Sequence, residues 1–161
     1  MSIPASIRQA LARYTGDDHR WINAQLRGFE PRDQKLDSMV EQLDAAFALP
    51  HLHWHGVVYR GARGKFLRWL VEQDIGQGSI LSDPGYASTS REFSVARSFA
   101  FAEPKGIVLR IRIAEGLPAI SLTPYSNYPD EEEILLPRQA PLRVVGFSRQ
   151  DRLLDTEYIQ S

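Results

Sequence analysis

Ile107-Val108-Leu109-Arg110-Ile111-Arg112-Ile113 is the clearest strand in this sequence. Apolar and charged residues alternate after its apolar start, and a period of two is typical of a strand that buries one face. Runs of similar character follow Trp54. They predict strands near 55–60, 85–89, 106–113, 118–122, 132–136, 142–148 and 156–160, and helices near 63–74 and 92–101.

The first 50 residues have a different, helical pattern. Apolar residues before Pro50 recur at helical spacing, at Leu36, Met39, Val40, Leu43 and Phe47, as they do on the buried face of a helix. Helices that precede a run of antiparallel-type strands indicate the α+β class. We therefore expect one domain over residues 1–161, with a helical part at 1–50 and a β-rich part at 51–161.

The composition excludes several classes of site. The chain has 161 residues and no cysteine, which excludes disulfides, thiolate catalysis and cysteine-based zinc sites. Its 19 basic and 20 acidic residues give a net charge of −1, so there is no overall attraction to nucleic acid or to an anionic membrane. No apolar run approaches the ~20 residues of a membrane helix. The N-terminus also lacks the basic-then-apolar profile of a signal peptide.

An acidic cluster runs directly into an apolar strand at Asp130-Glu131-Glu132-Glu133-Ile134-Leu135-Leu136. Residues two apart in a strand project from the same face, so we expect Glu131 and Glu133 side by side and Glu132 turned away. Two aligned carboxylates suit chemistry that passes through a sugar cation, because one can stabilise the charge while the other accepts a proton. The alternative is a solvated acidic loop that precedes a strand.

Two further segments carry groups that fit the same chemistry. Val57-Val58-Tyr59-Arg60-Gly61 predicts a strand whose arginine can bind phosphate oxygens with two hydrogen bonds, beside a glycine that allows close approach of a ligand. Gly85-Tyr86-Ala87-Ser88-Thr89-Ser90 predicts a short strand with hydroxyl groups that can orient a carboxylate. Taken singly, each segment also fits a surface arginine or an edge strand rich in Ser and Thr.

Together and in this order, the three segments resemble the mono-ADP-ribosyltransferase toxin family. The narrower resemblance is to the branch with Arg, Ser-Thr-Ser and Glu-x-Glu motifs, which includes the clostridial binary toxins. The matching residues are Arg60, Ser88-Thr89-Ser90 and Glu131-Glu132-Glu133. Three upstream segments of this chain are similar to the family's N-terminal helical signature: Tyr14-Thr15-Gly16, Ile22-Asn23 and Leu26-Arg27.

The resemblance implies a fold and a reaction. The fold has N-terminal helices packed on two antiparallel-type β-sheets that form an NAD-binding cleft, and the reaction transfers ADP-ribose from NAD to an acceptor with loss of nicotinamide. By resemblance, Glu133 stabilises the ribose cation, Glu131 orients and deprotonates the acceptor, and Ser88 holds Glu133. Arg60 binds the pyrophosphate, and the region of Gly61 contacts the nicotinamide amide.

Other cofactor and acceptor contacts also follow from the resemblance. By resemblance, Thr89 and Ser90 belong to the central motif beside the cofactor. Phe101 is our candidate for an aromatic contact with the cofactor. Two alternatives stay open: Phe99 makes this contact instead, or these phenylalanines pack in the core of the predicted helix near 92–101. A Glu at position 131 usually accompanies arginine acceptors, and a carboxylate can pair with a guanidinium through two hydrogen bonds.

The loop before the acidic cluster matches the family's acceptor-recognition loop. In that position an exposed aromatic residue often sits, so we assign substrate recognition first to Tyr128 and then to Tyr125. The alternative is that both tyrosines pack under the loop. His51, His53 and His55 alternate in a way that resembles a metal site, but no fourth ligand follows at a diagnostic spacing. We therefore expect NAD as the substrate and no metal.

The sequence thus predicts an arginine-directed mono-ADP-ribosyltransferase that is a bacterial toxin or effector. Three alternatives stay open: an NAD glycohydrolase, an enzyme that modifies nucleic acid, and a non-catalytic binding module on the same fold. We expect a target macromolecule, with an immunity protein or a delivery partner, and no membrane. We expect the protein to be secreted or delivered into a target cell without a classical signal peptide, or otherwise to stay in the bacterial cytoplasm.

Overall fold

The structure is a computed structural model that describes residues 3–73, 75–126 and 129–160. The helices of these residues are α1 Ala5–Arg13, α2 His19–Leu26, α3 Gln34–Phe47, α4 Gly64–Glu72 and α5 Phe93–Ala100. A π-helical turn, Tyr14–Asp18, joins α1 to α2. None of the described helices is long and apolar enough to cross a bilayer.

The strands of the described chain nearly all follow the predicted positions. They are β1 Gly56–Ala62, β2 Ile80–Leu81, β3 Ala87–Ser90, β4 Ile107–Ile113, β5 Ile120–Ser121, β6 Glu133–Leu136, β7 Leu142–Ser148 and β8 Leu153–Tyr158. The sequence did not predict β2, because two residues are too short to show any periodicity. The α+β class is confirmed. The helices predicted near 63–74 and 92–101 are also confirmed, as α4 and α5.

The strands form one open eight-stranded sheet in the order β2-β7-β8-β4-β1-β3-β6-β5. The expectation of two separate sheets is corrected in this respect. β1 pairs with β4 along its whole length on one side, but with β3 on the other side only through Tyr59 and Ser90. Because so little pairing joins them, the two halves of the sheet can diverge while they remain hydrogen-bonded.

The N-terminal helices pack on the β3-β6-β5 half of the sheet. Leu122 and Leu135 enter the same apolar core as the buried side chains of α1, α2 and α3. Asp33 begins α3 by accepting hydrogen bonds from the backbone N–H groups of Lys35 (2.9 Å) and Leu36 (3.2 Å). This capping satisfies donors that the first helical turn leaves unpaired. The helices therefore form a fixed wall beside β3.

Helices α4 and α5 cover opposite faces of the other half of the sheet. Leu67 and Leu70 of α4 pack on a core that includes Val58 and Ile111. Helix α5 packs on the other side of β1 and β4, with Ala96 and Ala100 against Val108 and Tyr59. This close approach requires a glycine in β1. A Cβ at Gly61 would lie 2.6 Å from the carbonyl oxygen of Ala96.

We predict that Gly61→Ala lowers the free energy of unfolding by about 1–3 kcal/mol, because added volume in a packed site forces the backbone of α5 to move. Urea denaturation measures this change. Gly146→Ala is the matched control, since a Cβ at Gly146 in β7 has no neighbour within 4 Å. Equal stability of the two variants would show that α5 does not depend on the glycine.

Candidate active site

The side chains of the three motifs meet where β1, β3 and β6 lie next to one another. Arg60 lies within β1, Ser88 within β3, and Glu133 is the first residue of β6. Ser90 is paired with Tyr59 of β1 on one side and with Glu133 on the other. Strand β3 therefore brings motifs that are far apart in sequence to one place.

A cleft of about 660 Å³ opens at this junction, between the strands and the N-terminal helices. Seven of the predicted site residues line it: Arg60, Gly61, Ser88, Thr89, Ser90, Glu131 and Glu133. Asn23 of α2 and Arg27, which directly follows α2, also line it. A cleft of this size lies within the range of small-molecule and cofactor sites.

Glu131 reaches the cleft by a different route from the one predicted. It lies in a 3₁₀ turn, Pro129–Glu131, and the strand begins two residues later at Glu133. The alternation argument was wrong here because Glu132 has a left-handed backbone, with φ of 45°. A left-handed residue between the turn and the strand breaks the period of two. Both carboxylates nevertheless line the same cleft, with Glu131 exposed and Glu133 half-buried.

Burial raises the pKa of Glu133, and the neighbouring charge of Glu131 raises it further. A hydrogen bond from Ser88 acts in the opposite direction and lowers it. Desolvation and a like charge both disfavour an ionised carboxylate. The site therefore holds Glu133 at an electrostatic cost that a cation placed next to it relieves.

A directed chain of hydrogen bonds leads to Ser88. The backbone N–H of Tyr86 donates to Asn23 Oδ1 (2.8 Å), so the amide nitrogen of Asn23 faces Tyr14 and donates to its hydroxyl (2.9 Å). That hydroxyl is 3.2 Å from Ser88 Oγ. Burial raises the pKa of Tyr14 to about 12, so it keeps its proton. Ser88 has one proton and donates it to the Glu133 carboxylate, so the Tyr14 hydroxyl, which accepts from Asn23, is the donor in its contact with Ser88.

The other two hydroxyls of the central motif hold the acidic segment in place. Thr89 Oγ1 donates to the carbonyl oxygen of Ile134, and Ser90 Oγ donates to that of Glu131, both at 2.6 Å. The backbone N–H of Glu92 donates in turn to Ser90 Oγ (3.0 Å). Ser90 thus fixes the backbone that carries Glu131, rather than presenting a free hydroxyl to the cleft.

Arg60 lies deep in the cleft and its side chain is only 10% exposed. Its guanidinium stacks over the ring of Phe66 at 3.9 Å and donates to Asp83 (2.8 Å). Burial lowers the pKa of Arg60, whereas the charge of Asp83 raises it. Asp83 was not predicted from the sequence, because the turn Asp83-Pro84-Gly85 has an ordinary turn composition and shows neither arginine that pairs with Asp83.

The structure does not bring every candidate into the cleft. Phe101 packs under Arg152 and lines a separate groove, which we call the α5 groove and which includes Tyr59, Phe93, Arg97 and Arg110. Phe99 lines the cleft instead, with the Arg63 guanidinium 3.9 Å from its ring centre. The backbone N–H of Phe101 still donates to the carbonyl oxygen of Arg97 (2.8 Å), so Phe101 belongs to the last turn of α5. Residues two apart on a helix project about 200° apart, so Phe99 and Phe101 cannot both face the cleft.

The candidates for acceptor recognition divide in the same way. Tyr125 packs partly buried against the helical core, and its carbonyl oxygen accepts a hydrogen bond from Thr15 (3.2 Å). Tyr128 lies outside the described residues.

The alternating histidines can be examined as metal ligands. The His53 ring nitrogen Nε2 lies 2.8 Å from the carbonyl oxygen of Phe47. Within residues 3–73, 75–126 and 129–160, no group of three or more His, Asp or Glu side chains is arranged to hold a metal ion.

The sequence of the chain matches the model of the ADP-ribosyltransferase exoenzyme family over residues 2–159. This chain belongs to that family. The resemblance stated from the motifs is therefore confirmed at the level of the family, whereas its narrower assignment to the branch of the binary toxins stays a prediction.

Two bacterial relatives are similar in sequence to this family member. Over 140 residues it is 34% identical to Mav of Mycobacterium avium (strain 104), which is named as an NAD(+)–arginine ADP-ribosyltransferase. Over 137 residues it is 31% identical to secreted exoenzyme S of Pseudomonas aeruginosa. These matches cover 85% and 84% of this chain but only 15% and 28% of the relatives, so the chain spans a small part of their length.

Solved structures of other ADP-ribosyltransferases share the fold. Exoenzyme S from Pseudomonas aeruginosa, in complex with human 14-3-3 protein beta and bound to carba-NAD, has a TM-score of 0.77 and 25% identity. That match covers 95% of this chain and 73% of the other. The Vis toxin from Vibrio splendidus has a TM-score of 0.79 at 21% identity, over 99% of this chain and 75% of the other.

The electrostatics of this family member give a prediction for Glu133. Its ionised form is disfavoured in the folded protein but not in the unfolded chain, so its ionisation lowers the stability at any pH above the raised pKa. We therefore expect Glu133→Gln to have a higher Tm than wild type near neutral pH. The difference should disappear below about pH 4.3, the ordinary value for Glu, where both states bind the proton.

Calorimetric melting curves at both pH values measure this difference. Glu115→Gln is the control, because Glu115 is exposed and outside the cleft. A Glu133→Gln protein that melts below wild type at neutral pH would contradict the account of a carboxylate held at an electrostatic cost.

Proposed function

We propose that this chain transfers ADP-ribose from NAD to the guanidino group of an arginine on a target macromolecule and releases nicotinamide. The observation that carries the proposal is the placement of Arg60, Ser88, Glu131 and Glu133 around one cleft, in a member of the ADP-ribosyltransferase exoenzyme family. The name of Mav, which specifies arginine as its acceptor, supports the choice of acceptor. The presence of a carboxylate at position 131 supports it as well.

In the proposed reaction, the bond between ribose C1′ and the nicotinamide nitrogen breaks, and its electron pair leaves with nicotinamide. The ribose then carries a positive charge, as in glycoside cleavage. Glu133, held by the Ser88 hydroxyl, lies where it can bind the ribose and stabilise this cation. Because its carboxylate is partly desolvated, its interaction with a cation is stronger than it is in water.

Arg60 binds the pyrophosphate in this scheme. Its planar guanidinium can donate two parallel hydrogen bonds to phosphate oxygens, and the ring of Phe66 limits its movement. Glu131 is exposed at the mouth of the cleft, where an acceptor from outside can reach it. It accepts a proton from the guanidinium, and the neutral guanidino nitrogen then attacks C1′.

NAD hydrolysis is the second candidate, because the exposure of Glu131 leaves room for water to take the place of the acceptor. We further propose that the target is a protein in a cell to which the enzyme is delivered, and that the producing cell needs a neutralising partner for the cleft. Support for delivery comes from the relative named secreted exoenzyme S. The net charge of −1 gives no support to a nucleic-acid target.

The direct experiment is incubation of the chain with labelled NAD and a cell lysate, with nicotinamide release and labelled protein measured in parallel. Mass spectrometry then locates the label. Transfer should give both products, hydrolysis only nicotinamide, and a binding module neither. Glu133→Ala should lower both products by on the order of 10²–10³-fold, as expected when the electrostatic stabiliser of a transition state is removed.

Glu131→Gln separates transfer from hydrolysis. We expect protein labelling to fall by about 100-fold and nicotinamide release by less than about tenfold, because a protonated guanidinium needs a base more than water does. Glu132→Gln is the matched control, since this carboxylate belongs to the same acidic segment but does not line the cleft. If Glu131→Gln reduces both products equally, Glu131 acts on the ribose or supports the loop, and arginine loses its main physical support as the acceptor.

A further inference from the structure

Asp83 is the centre of a buried cluster of charges behind the cleft. Arg27 donates two hydrogen bonds to its carboxylate, from Nε to Oδ1 (2.9 Å) and from Nη2 to Oδ2 (2.8 Å). Arg60 Nη2 donates to the same Oδ2 (2.8 Å), and the backbone N–H of Gly85 donates to Oδ1 (2.8 Å). The Asp83 side chain is only 10% exposed. One carboxylate therefore joins two guanidiniums, one from the residue that directly follows α2 and one from β1.

The three charged groups do not face the same way. Arg27 and Arg60 line the cleft, whereas Asp83 does not. Asp83 lines a small apolar cavity of about 20 Å³, together with Arg60 and apolar residues such as Leu81. Arg60 thus borders both spaces and lies between Asp83 and the cleft. An arginine has five N–H donors, and the contacts with Asp83 use two from Arg27 and one from Arg60. Arg27 Nη2 also donates to the carbonyl oxygen of Tyr86 (3.4 Å). The N–H groups outside these contacts are left for a ligand.

The cluster carries a net positive charge. Two guanidiniums close together repel each other, and a single carboxylate compensates one of their charges. Burial raises the pKa of Asp83, but the charges of Arg60 and Arg27 outweigh burial and hold that pKa below its ordinary value. Asp83 is therefore ionised, and the cluster presents about one uncompensated positive charge to the cleft.

We propose that Asp83 is a positioning residue that holds Arg27 and Arg60 as a preformed pair for the pyrophosphate of NAD, an inference that rests on the proposed function. Asp83 does not contact the ligand in this arrangement. It fixes the planes of both guanidiniums from behind, and the ring of Phe66 confines that of Arg60 from the side. The pair is thus ordered before the ligand arrives, which lowers the entropy that binding has to overcome.

This role makes a prediction opposite to that of simple electrostatics. Asp83→Asn removes a negative charge close to the site, so on charge alone it should strengthen the binding of an anion. If Asp83 positions the arginines, the same change should weaken the binding of ADP-ribose by about tenfold or more, because the guanidiniums lose the partner that orients them. The sign of the change separates the two explanations.

The experiment uses two probes, ADP-ribose and nicotinamide, titrated separately into the protein and followed by NMR. ADP-ribose contains the pyrophosphate and nicotinamide does not. Asp83→Asn should therefore weaken ADP-ribose binding and leave nicotinamide binding unchanged. In activity assays, it should raise KM for NAD more than it lowers kcat. General damage to the fold weakens both probes and lowers kcat, so this comparison distinguishes positioning from structural support.

Asp155→Asn is the matched control. Asp155 also pairs with two arginines, Arg110 through two hydrogen bonds of 3.0 Å and Arg112 at 3.8 Å, but it does not line the cleft. Removal of the Asp155 carboxylate should change the affinity for ADP-ribose by less than about twofold, as expected of a site that is independent of the cleft. Asp83→Glu is the second variant. It keeps the charge but displaces the carboxylate, so ADP-ribose binding should still weaken.

The possible outcomes separate the inference from the function on which it rests. Wild type that binds neither ADP-ribose nor nicotinamide defeats the proposed function, and the role of Asp83 falls with it. Wild type that binds both, together with a folded Asp83→Asn that binds ADP-ribose as well as or better than wild type, overturns only the inference. Equal weakening of nicotinamide and ADP-ribose also overturns it, and so does unchanged ADP-ribose binding by a folded Asp83→Glu.

Discussion

The pairing of β3 between β1 and β6 is the interaction on which the site depends. Ser90 is opposite Tyr59 on one side and Glu133 on the other, so four residues of backbone join motifs that lie more than 70 positions apart in the chain. Little else in the described ladder joins the two halves of the sheet. The cleft lies at this junction, and polar side chains such as Ser88 and Glu133 border it.

These polar side chains are ordered by hydrogen bonds that start at the backbone of Tyr86, directly before β3. Tyr86 fixes Asn23, Asn23 fixes Tyr14, and Tyr14 fixes Ser88. Every buried polar side-chain atom within the described residues has a partner. The remaining cost is electrostatic, since Glu133 is desolvated next to Glu131. Proteins commonly accept such local instability at sites where activity requires it, and the apolar cores on both sides of the sheet offset it here.

Much of the fold could be predicted from sequence, because burial on one face leaves a readable period. The alternation in β4 and the apolar stripe of α3 are the clearest examples. For the site, the motifs grouped Arg60, Ser88 and Glu133, and all three line one cleft, while their roles stay predictions. The position of Glu131 was reached by a wrong argument, because no sequence period reveals the left-handed backbone of Glu132.

Other features depend on tertiary contacts that one sequence does not encode in a local pattern. β2 exists because Ile80 and Leu81 pair with β7, and two residues alone have no period. Phe99 and Phe101 are the same residue type on opposite sides of α5, and only the way in which α5 packs on β1 and β4 decides which one faces the cleft. Asp83 stands in an ordinary turn, and its importance follows from two arginines that approach it from other elements.

A crystal structure of the chain with carba-NAD tests the central claim most directly, because this analogue keeps the pyrophosphate and the nicotinamide but resists cleavage. The account predicts pyrophosphate oxygens within hydrogen-bond distance of Arg60 and Arg27, and the nicotinamide-bearing ring beside Glu133. The account would be contradicted by an analogue that occupies the α5 groove, or by one that fills the cleft with its pyrophosphate away from both arginines.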